Sequence, residues 1–333
     1  MTKRVVNLRS GRPLLDVASY GRSGPSRRSA LTSAEIAHAS RTARGVPEVM
    51  IKVSGGAGTM RGVGAHLDYI GREGDGEIET DEGTVLHEKG FERALLDDWA
   101  LELEAPHRHT QRAIAAGRKP PKLVHNLVFS MPKGTPPEKL RLAVRLFASE
   151  EFGLQHRYVM ALHTDQGHPH VHVVVKAVSE EGERLNIRKA TLREWRRDFA
   201  QYLREHGVEA KATERAVRGA MKTTKKDGIH RAVLRGESTH YRERLENVAQ
   251  ELARGQLSIE HGKAKIVETR KAVVAGWGGL AEALDREGQS ATADIVRSFA
   301  RSMAPPQTEK EHLAHRLTEL VAQRREREPE LTR

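Results

Sequence analysis

The sequence predicts an α+β fold, with strands and helices in layers, on three observations. Short apolar, β-branched runs recur over residues 46–210, and amphipathic helical spacings separate them. Two of those runs, Tyr158–Leu162 and His170–Val175, lie so close together that they read as an antiparallel hairpin.

Each element follows from its residues. Pro47–Val53 alternates as a strand, and Ser54-Gly-Gly-Ala-Gly58 turns the chain. Thr59 to about Arg72 reads as a helix ended by Gly71 and Gly74. An acidic insertion and a helix near Leu95–Leu103 follow, then a second strand over Leu123–Phe129. Leu140, Val144 and Phe147 mark a helix over Pro137–Phe152, and Trp195, Phe199 and Leu203 mark another over Leu192–His206.

The flanking segments differ in character. Residues 1–45 hold nine basic residues against Asp16 and Glu35, so they are expected to be a flexible basic arm. Residues 46–210 form the expected catalytic domain and 211–235 a basic linker. Residues 236–333 are expected to be a helical accessory region, charged and broken at Gly255, Gly288 and Pro305-Pro306.

Bulk properties narrow the function. The chain has 333 residues, with 56 Lys+Arg against 45 Asp+Glu and a net charge of +11. That balance favours a polyanionic partner, of which nucleic acid is the default. The absence of cysteine excludes a disulfide framework, a thiolate zinc site and a cysteine nucleophile. No run approaches the roughly 18 apolar residues of a membrane span, and the N-terminus lacks the apolar core of a secretory signal. A cytoplasmic protein without membrane insertion is expected.

The chemistry concentrates in His163-Thr-Asp165-Gln-Gly-His168-Pro169-His170-Val-His172, which holds four of the chain's 17 histidines. Residues two apart on a strand share a face, so His170 and His172 present their imidazoles side by side. Pro169 stands where a strand begins, a position at which a missing amide proton costs little. A rigid imidazole pair with His163 as a third is how a protein holds a divalent metal while leaving positions open for substrate. With a nucleic-acid partner, a phosphate-attacking group is needed as well. The chain has five tyrosines, of which Tyr69 sits late on the helix after the glycine turn, in His66-Leu-Asp-Tyr-Ile-Gly-Arg72.

The combination of strand, Ser-Gly-Gly-x-Gly turn, Leu-Asp-Tyr-Ile helix and His-x-Asp-x-x-His-Pro-His-Val-His-Val-Val-Val closely resembles the conjugative relaxases of the MOBP type. The likeness is greatest to the T-DNA border endonuclease group, within the HUH single-strand endonucleases, and it covers roughly residues 48–210. Val128-Phe-Ser130-Met-Pro-Lys-Gly134 looks like the family's second motif. The resemblance implies a central antiparallel sheet flanked by helices. It also implies that Tyr69 attacks single-stranded origin-of-transfer DNA and becomes joined to the 5′-phosphate, which starts conjugative mobilisation. By the same resemblance His163, His170 and His172 match the metal ligands, and Asp165 matches an acidic residue that orients a histidine or assists proton movement. Ser130 matches a serine that contacts DNA. Family usage implies magnesium or manganese, whereas three imidazoles by ligand type also favour zinc, cobalt or nickel. Lys52, Arg61, Arg72 and Lys176 are candidate phosphate partners by their nearness to the motifs. Accessory relaxosome proteins, a coupling protein and a bacterial cytoplasmic location, with export alongside the transferred strand, belong to the same picture. An HUH replication initiator or transposase is the nearest alternative, but there the tyrosine usually follows the histidine pair. A non-catalytic DNA-binding mobilisation accessory is the other.

Overall fold

The computed structural model describes residues 32–72, 75–87, 90–99, 111–118, 121–165, 167–220 and 238–327. They divide into two compact units, Gly45–Ala212 and a helical unit drawn from both flanks. Residues 1–31 of the expected arm and 221–237 around the expected linker lie outside the described residues, as does the far end of the helix expected near Leu103.

The first unit is built on a mixed sequence of strands and helices. β1 (Met50–Gly55) is followed by α2 (Met60–Ile70), β2 (Ile78–Thr80), β3 (Val85–Leu86) and α3 (Phe91–Asp98). Then come β4 (Val124–Ser130), α4 (Pro137–Glu151), β5 (Tyr158–His163), β6 (His170–Lys176) and α5 (Lys189–Glu205). Among the described residues the strands form one antiparallel sheet of order β1-β4-β6-β5-β2-β3. The expected α+β fold, a central antiparallel sheet flanked by helices, is what is found. The acidic insertion after α2 supplies β2 and β3, which the composition of that stretch concealed.

Alternation divides the sheet into two faces. Val171, Val173 and Val175 of β6 join Leu127 and Phe129 of β4 on the face covered by α4 and α5. There Phe147, Trp195 and Phe199 pack ring against ring with Phe129 and Phe152, with centroids 5.1–6.0 Å apart. Val174, Ala161 and Val159 turn to the opposite face, where Val63, Leu67 and Ile70 of α2 and Leu95 of α3 cover them. The apolar positions of α2 recur at spacings of four and three, so one stripe of the helix docks and Tyr69 is left off it. Thr59 caps the helix by accepting from the Gly62 amide.

The glycine turn has one strict requirement. Gly56 adopts φ +149°, and a Cβ there would stand 2.4 Å from the Val124 carbonyl oxygen. The β1–β4 register also shifts between Val53 and Gly55. The strand thus ends in a bulge that aims the chain into α2.

The second unit contains α1 (Ser33–Ala43), α6 (Thr239–Ala253), α7 (Lys263–Arg286), α8 (Ser290–Ser302) and α9 (Glu309–Arg327). Within the expected arm, Ser33–Ala43 is helical. Thr32 and Glu35 form a reciprocal capping box at the start of α1, and Ala39 is fully buried against Val273, Trp277 and Val296. Trp277 donates its indole N–H to the Val217 carbonyl at 2.9 Å. Among the described residues no helix is long and apolar enough to cross a membrane.

Candidate metal centre and nucleophile

Strand register assembles the site. His163 at the end of β5 stands directly across from His170 at the start of β6, and His170 stands across from Ser130 of β4. His172 follows two residues on, between Ala161 and Val128. Directly opposed residues of antiparallel strands point to the same side, so the three imidazoles share one face. All three are buried, and one ligand nitrogen from each lies within 4.8 Å of the others.

Hydrogen bonds decide which nitrogens are free. The His163 Nε2 lies 2.7 Å from the Ile70 carbonyl, which only accepts, so this nitrogen carries the proton and Nδ1 keeps its lone pair. The His170 Nδ1 likewise donates to the His168 carbonyl at 3.3 Å, leaving Nε2. Among the described residues His172 has no hydrogen-bond partner at either buried ring nitrogen. A buried imidazole left so is costly unless something absent from the polypeptide satisfies it. Burial also pushes the histidine pKa values down: His172 falls to about 3, and His163 and His170 shift the same way. All three are thus neutral near pH 7, the form that ligates. The donor set fits a divalent cation.

Tyr69 is brought to the same place. It is 56% exposed, and its ring lies 5.8 Å from that of His172 and 6.4 Å from that of His163, edge to face in both cases. The Ile70 carbonyl that orients His163 is the next residue in the chain. The helix end carrying the phenol is therefore tied to His163 by a buried hydrogen bond.

A second tie was hidden in the sequence. Asp165 lies 2.7 Å from Arg72, and the guanidinium holds its carboxyl below the usual range. Asp165, expected to serve a histidine, and Arg72, expected at a phosphate, thus engage each other across the gap between α2 and the β5–β6 hairpin. Arg72 adopts φ +51°, a left-handed conformation uncommon outside glycine and concentrated at functional sites.

The remaining candidates divide. Ser130 is buried in the row of His170, and Lys52 is exposed on β1 across from Val128, in the row of His172. Arg61 lies exposed in the first turn of α2, about 12 Å along the helix from Tyr69. Lys176 is not brought to the site. It pairs with Glu180 at 2.9 Å, at the far end of β6 from the histidines. One residue went unassigned by sequence reasoning: His66, whose ring stacks on Tyr69 at 5.9 Å and meets His172 edge-on at 6.3 Å. Its spacing of three from Tyr69 on a helix was the available signal.

Residues 69–208 match the family model described as relaxase, MobA/VirD2-like, nuclease domain. The T-DNA border endonuclease VirD2 of Rhizobium radiobacter is 26% identical over 191 residues, covering 52% of this chain and 43% of the relative. The protein of the same name from Rhizobium rhizogenes is 26% identical over 202 residues, covering 52% and 42%. That of Agrobacterium fabrum is 25% identical over 202 residues, covering 52% and 41%. The match spans less than half the length of these curated relatives. No solved structure matches the chain.

Proposed function

We propose that this chain, whose residues 69–208 match the nuclease-domain model of MobA/VirD2-like relaxases, nicks single-stranded origin-of-transfer DNA by tyrosine transesterification and so begins conjugative mobilisation. The observation that carries this reading is the approach of the Tyr69 ring to within 5.8 Å of a buried imidazole triad drawn from β5 and β6.

The Tyr69 phenolic oxygen attacks the scissile phosphorus. The bond from phosphorus to the DNA 3′-oxygen breaks, the 3′-hydroxyl leaves protonated, and a 5′-phosphotyrosine remains. One phosphodiester replaces another, so no nucleotide triphosphate is consumed. His163, His170 and His172 would hold the divalent cation, magnesium or manganese, with zinc, cobalt or nickel also suited by ligand type. When bound, such an ion neutralises charge on the non-bridging phosphate oxygens.

The protein's own groups set the geometry. The ring of His66 limits the rotation of the phenol, and the Ile70 carbonyl fixes which nitrogen of His163 faces the site. The Arg72–Asp165 pair braces the end of the nucleophile's helix against the hairpin. Exposure of Tyr69 leaves its proton a path to water. Ser130 and Lys52 flank the histidines as DNA contacts, with Arg61 further along α2. Single-stranded origin DNA, accessory proteins that open the duplex and a coupling protein are the partners this reading requires. Its setting is the bacterial cytoplasm, with export alongside the strand.

Wild-type protein incubated with an origin oligonucleotide and Mn²⁺ should give a covalent adduct stable to denaturation. Tyr69→Phe should bind the oligonucleotide as wild type does and give none. An adduct of undiminished yield in Tyr69→Phe would overturn the assignment.

A further inference from the structure

A second basic feature of the nuclease unit lies on the other face of the sheet. A cleft of about 570 Å³ opens between the end of β1, the start of β4 and the segment before α5. Lys122, His125 and Arg184 supply its charge, while Val53, Leu185 and Ile187 give it apolar walls. Among the described residues that line it none is acidic. The two cations are held by backbone carbonyls: Lys122 donates to Gly55 at 2.9 Å, and Arg184 donates to Lys122 at 2.9 Å. Their positive charge is positioned without being neutralised. The charges acting on His125 from Lys122, Arg184 and His156 all disfavour its protonation, in keeping with an electropositive pocket.

Paired cations, an uncharged ring and apolar walls match a nucleotide, with phosphate toward the charges and base toward the aliphatic side chains. The volume falls within the range of small-ligand clefts. Placement favours a nucleotide within a strand over a free one. His125 and Ser130 are five residues apart on β4, which places the cleft about 17 Å from the histidine row along the sheet. β1 is the edge strand, and exposed Lys52 lies on it between the two sites. A single strand leaving the histidines can cross this edge and reach the cleft within a few nucleotides. The cleft also grips the glycine turn that leads into the helix of Tyr69, through the bond from Lys122 to Gly55.

We infer that this cleft binds a nucleotide of the single-stranded DNA a few positions from the nick, holding its phosphate between Lys122 and Arg184. The inference rests on the DNA-nicking reading but concerns a different surface. Each phosphate neutralised on single-stranded DNA contributes about 0.7 to the slope of log affinity against log salt, which is about four-fold in affinity at 0.15 M.

The test is a salt titration of oligonucleotide binding by the full chain carrying Tyr69→Phe, read by fluorescence anisotropy. Adding Arg184→Gln should flatten the slope by about 0.7 and weaken binding about four-fold at 0.15 M salt. Arg184→Lys should keep the slope. Arg93→Gln removes the same charge from an exposed site on α3 and should change neither beyond two-fold. A photoreactive 5-iodouracil stepped along the oligonucleotide should crosslink to the peptide carrying His125 from a position near the nick. Equal effects of Arg184→Gln and Arg93→Gln, or crosslinks that never reach that peptide, would overturn the cleft. A Tyr69 adduct in the parent protein alongside those results would leave the nicking reading intact. A slope change without any adduct would sink nicking and keep the cleft.

Discussion

Replacing His172 with leucine should affect the cation-free and cation-bound proteins in opposite ways. Neither nitrogen of this buried ring has a partner among the described residues, so the imidazole is a burden on the fold until a cation satisfies it. His172→Leu keeps most of the volume and removes two orphaned polar atoms, so the cation-free variant should melt at or above the wild-type temperature. A cation at a hundred times its dissociation constant adds about 2.7 kcal/mol to the native state that holds it. For a unit the size of Gly45–Ala212 that corresponds to a rise in melting temperature of about 5–11 °C. The rise should be larger with manganese than with magnesium, because magnesium prefers oxygen ligands, and it should be lost in His172→Leu. The measurement is thermal unfolding followed by tryptophan emission, with Mn²⁺ against EDTA. A Trp277→Phe background silences the helical unit and leaves Trp99 and Trp195 to report on the nuclease unit. If His172→Leu keeps the full manganese shift, the cation binds elsewhere and the triad reading fails.

Three further outcomes are expected. Arg72→Ala should cost less than about 1 kcal/mol in stability, since its pair with Asp165 is roughly half exposed. It should nonetheless slow adduct formation, and the swapped pair Arg72→Asp with Asp165→Arg should recover part of the rate in single-turnover assays. His125 is held near pKa 4, against an ordinary 6.5, first by burial and then by Lys122, Arg184 and His156. Its unfolded form takes up a proton before the folded form does. Stability of the nuclease unit should therefore be whole above pH 6.5 and drain by about 1–3 kcal/mol as pH falls through 6.5 toward 4. His125→Leu should flatten that part of a urea-melt pH series. Gly56→Ala should destabilise by more than about 2 kcal/mol in a urea melt, because its Cβ would overlap the Val124 carbonyl at an unfavourable φ. Tolerance of alanine there would refute the close approach.

The sequence by itself determined the elements whose periodicity is strong. The β-branched Val173-Val174-Val175 run reads as a strand buried on both faces, and the HxH spacing on such a strand puts two imidazoles on one side of it. The fold class, the pairing of β5 with β6, the triad and the tyrosine helix were legible for that reason. Tertiary structure decided what depends on contacts distant in sequence. The register that sets His163 across from His170, the bond from His163 to Ile70 and the clasp between Asp165 and Arg72 leave no mark on local periodicity. Lys176 lies four residues beyond His172, yet strand rise carries it to the other end of the sheet. α1 looked like part of a basic tail, because Ile36, Ala39 and Ala43 are too sparse a hydrophobic stripe to reveal the surface of α7 and α8 that they pack against. Composition states which side chains are available, whereas the sheet's register and the docking of α2 determine which of them meet.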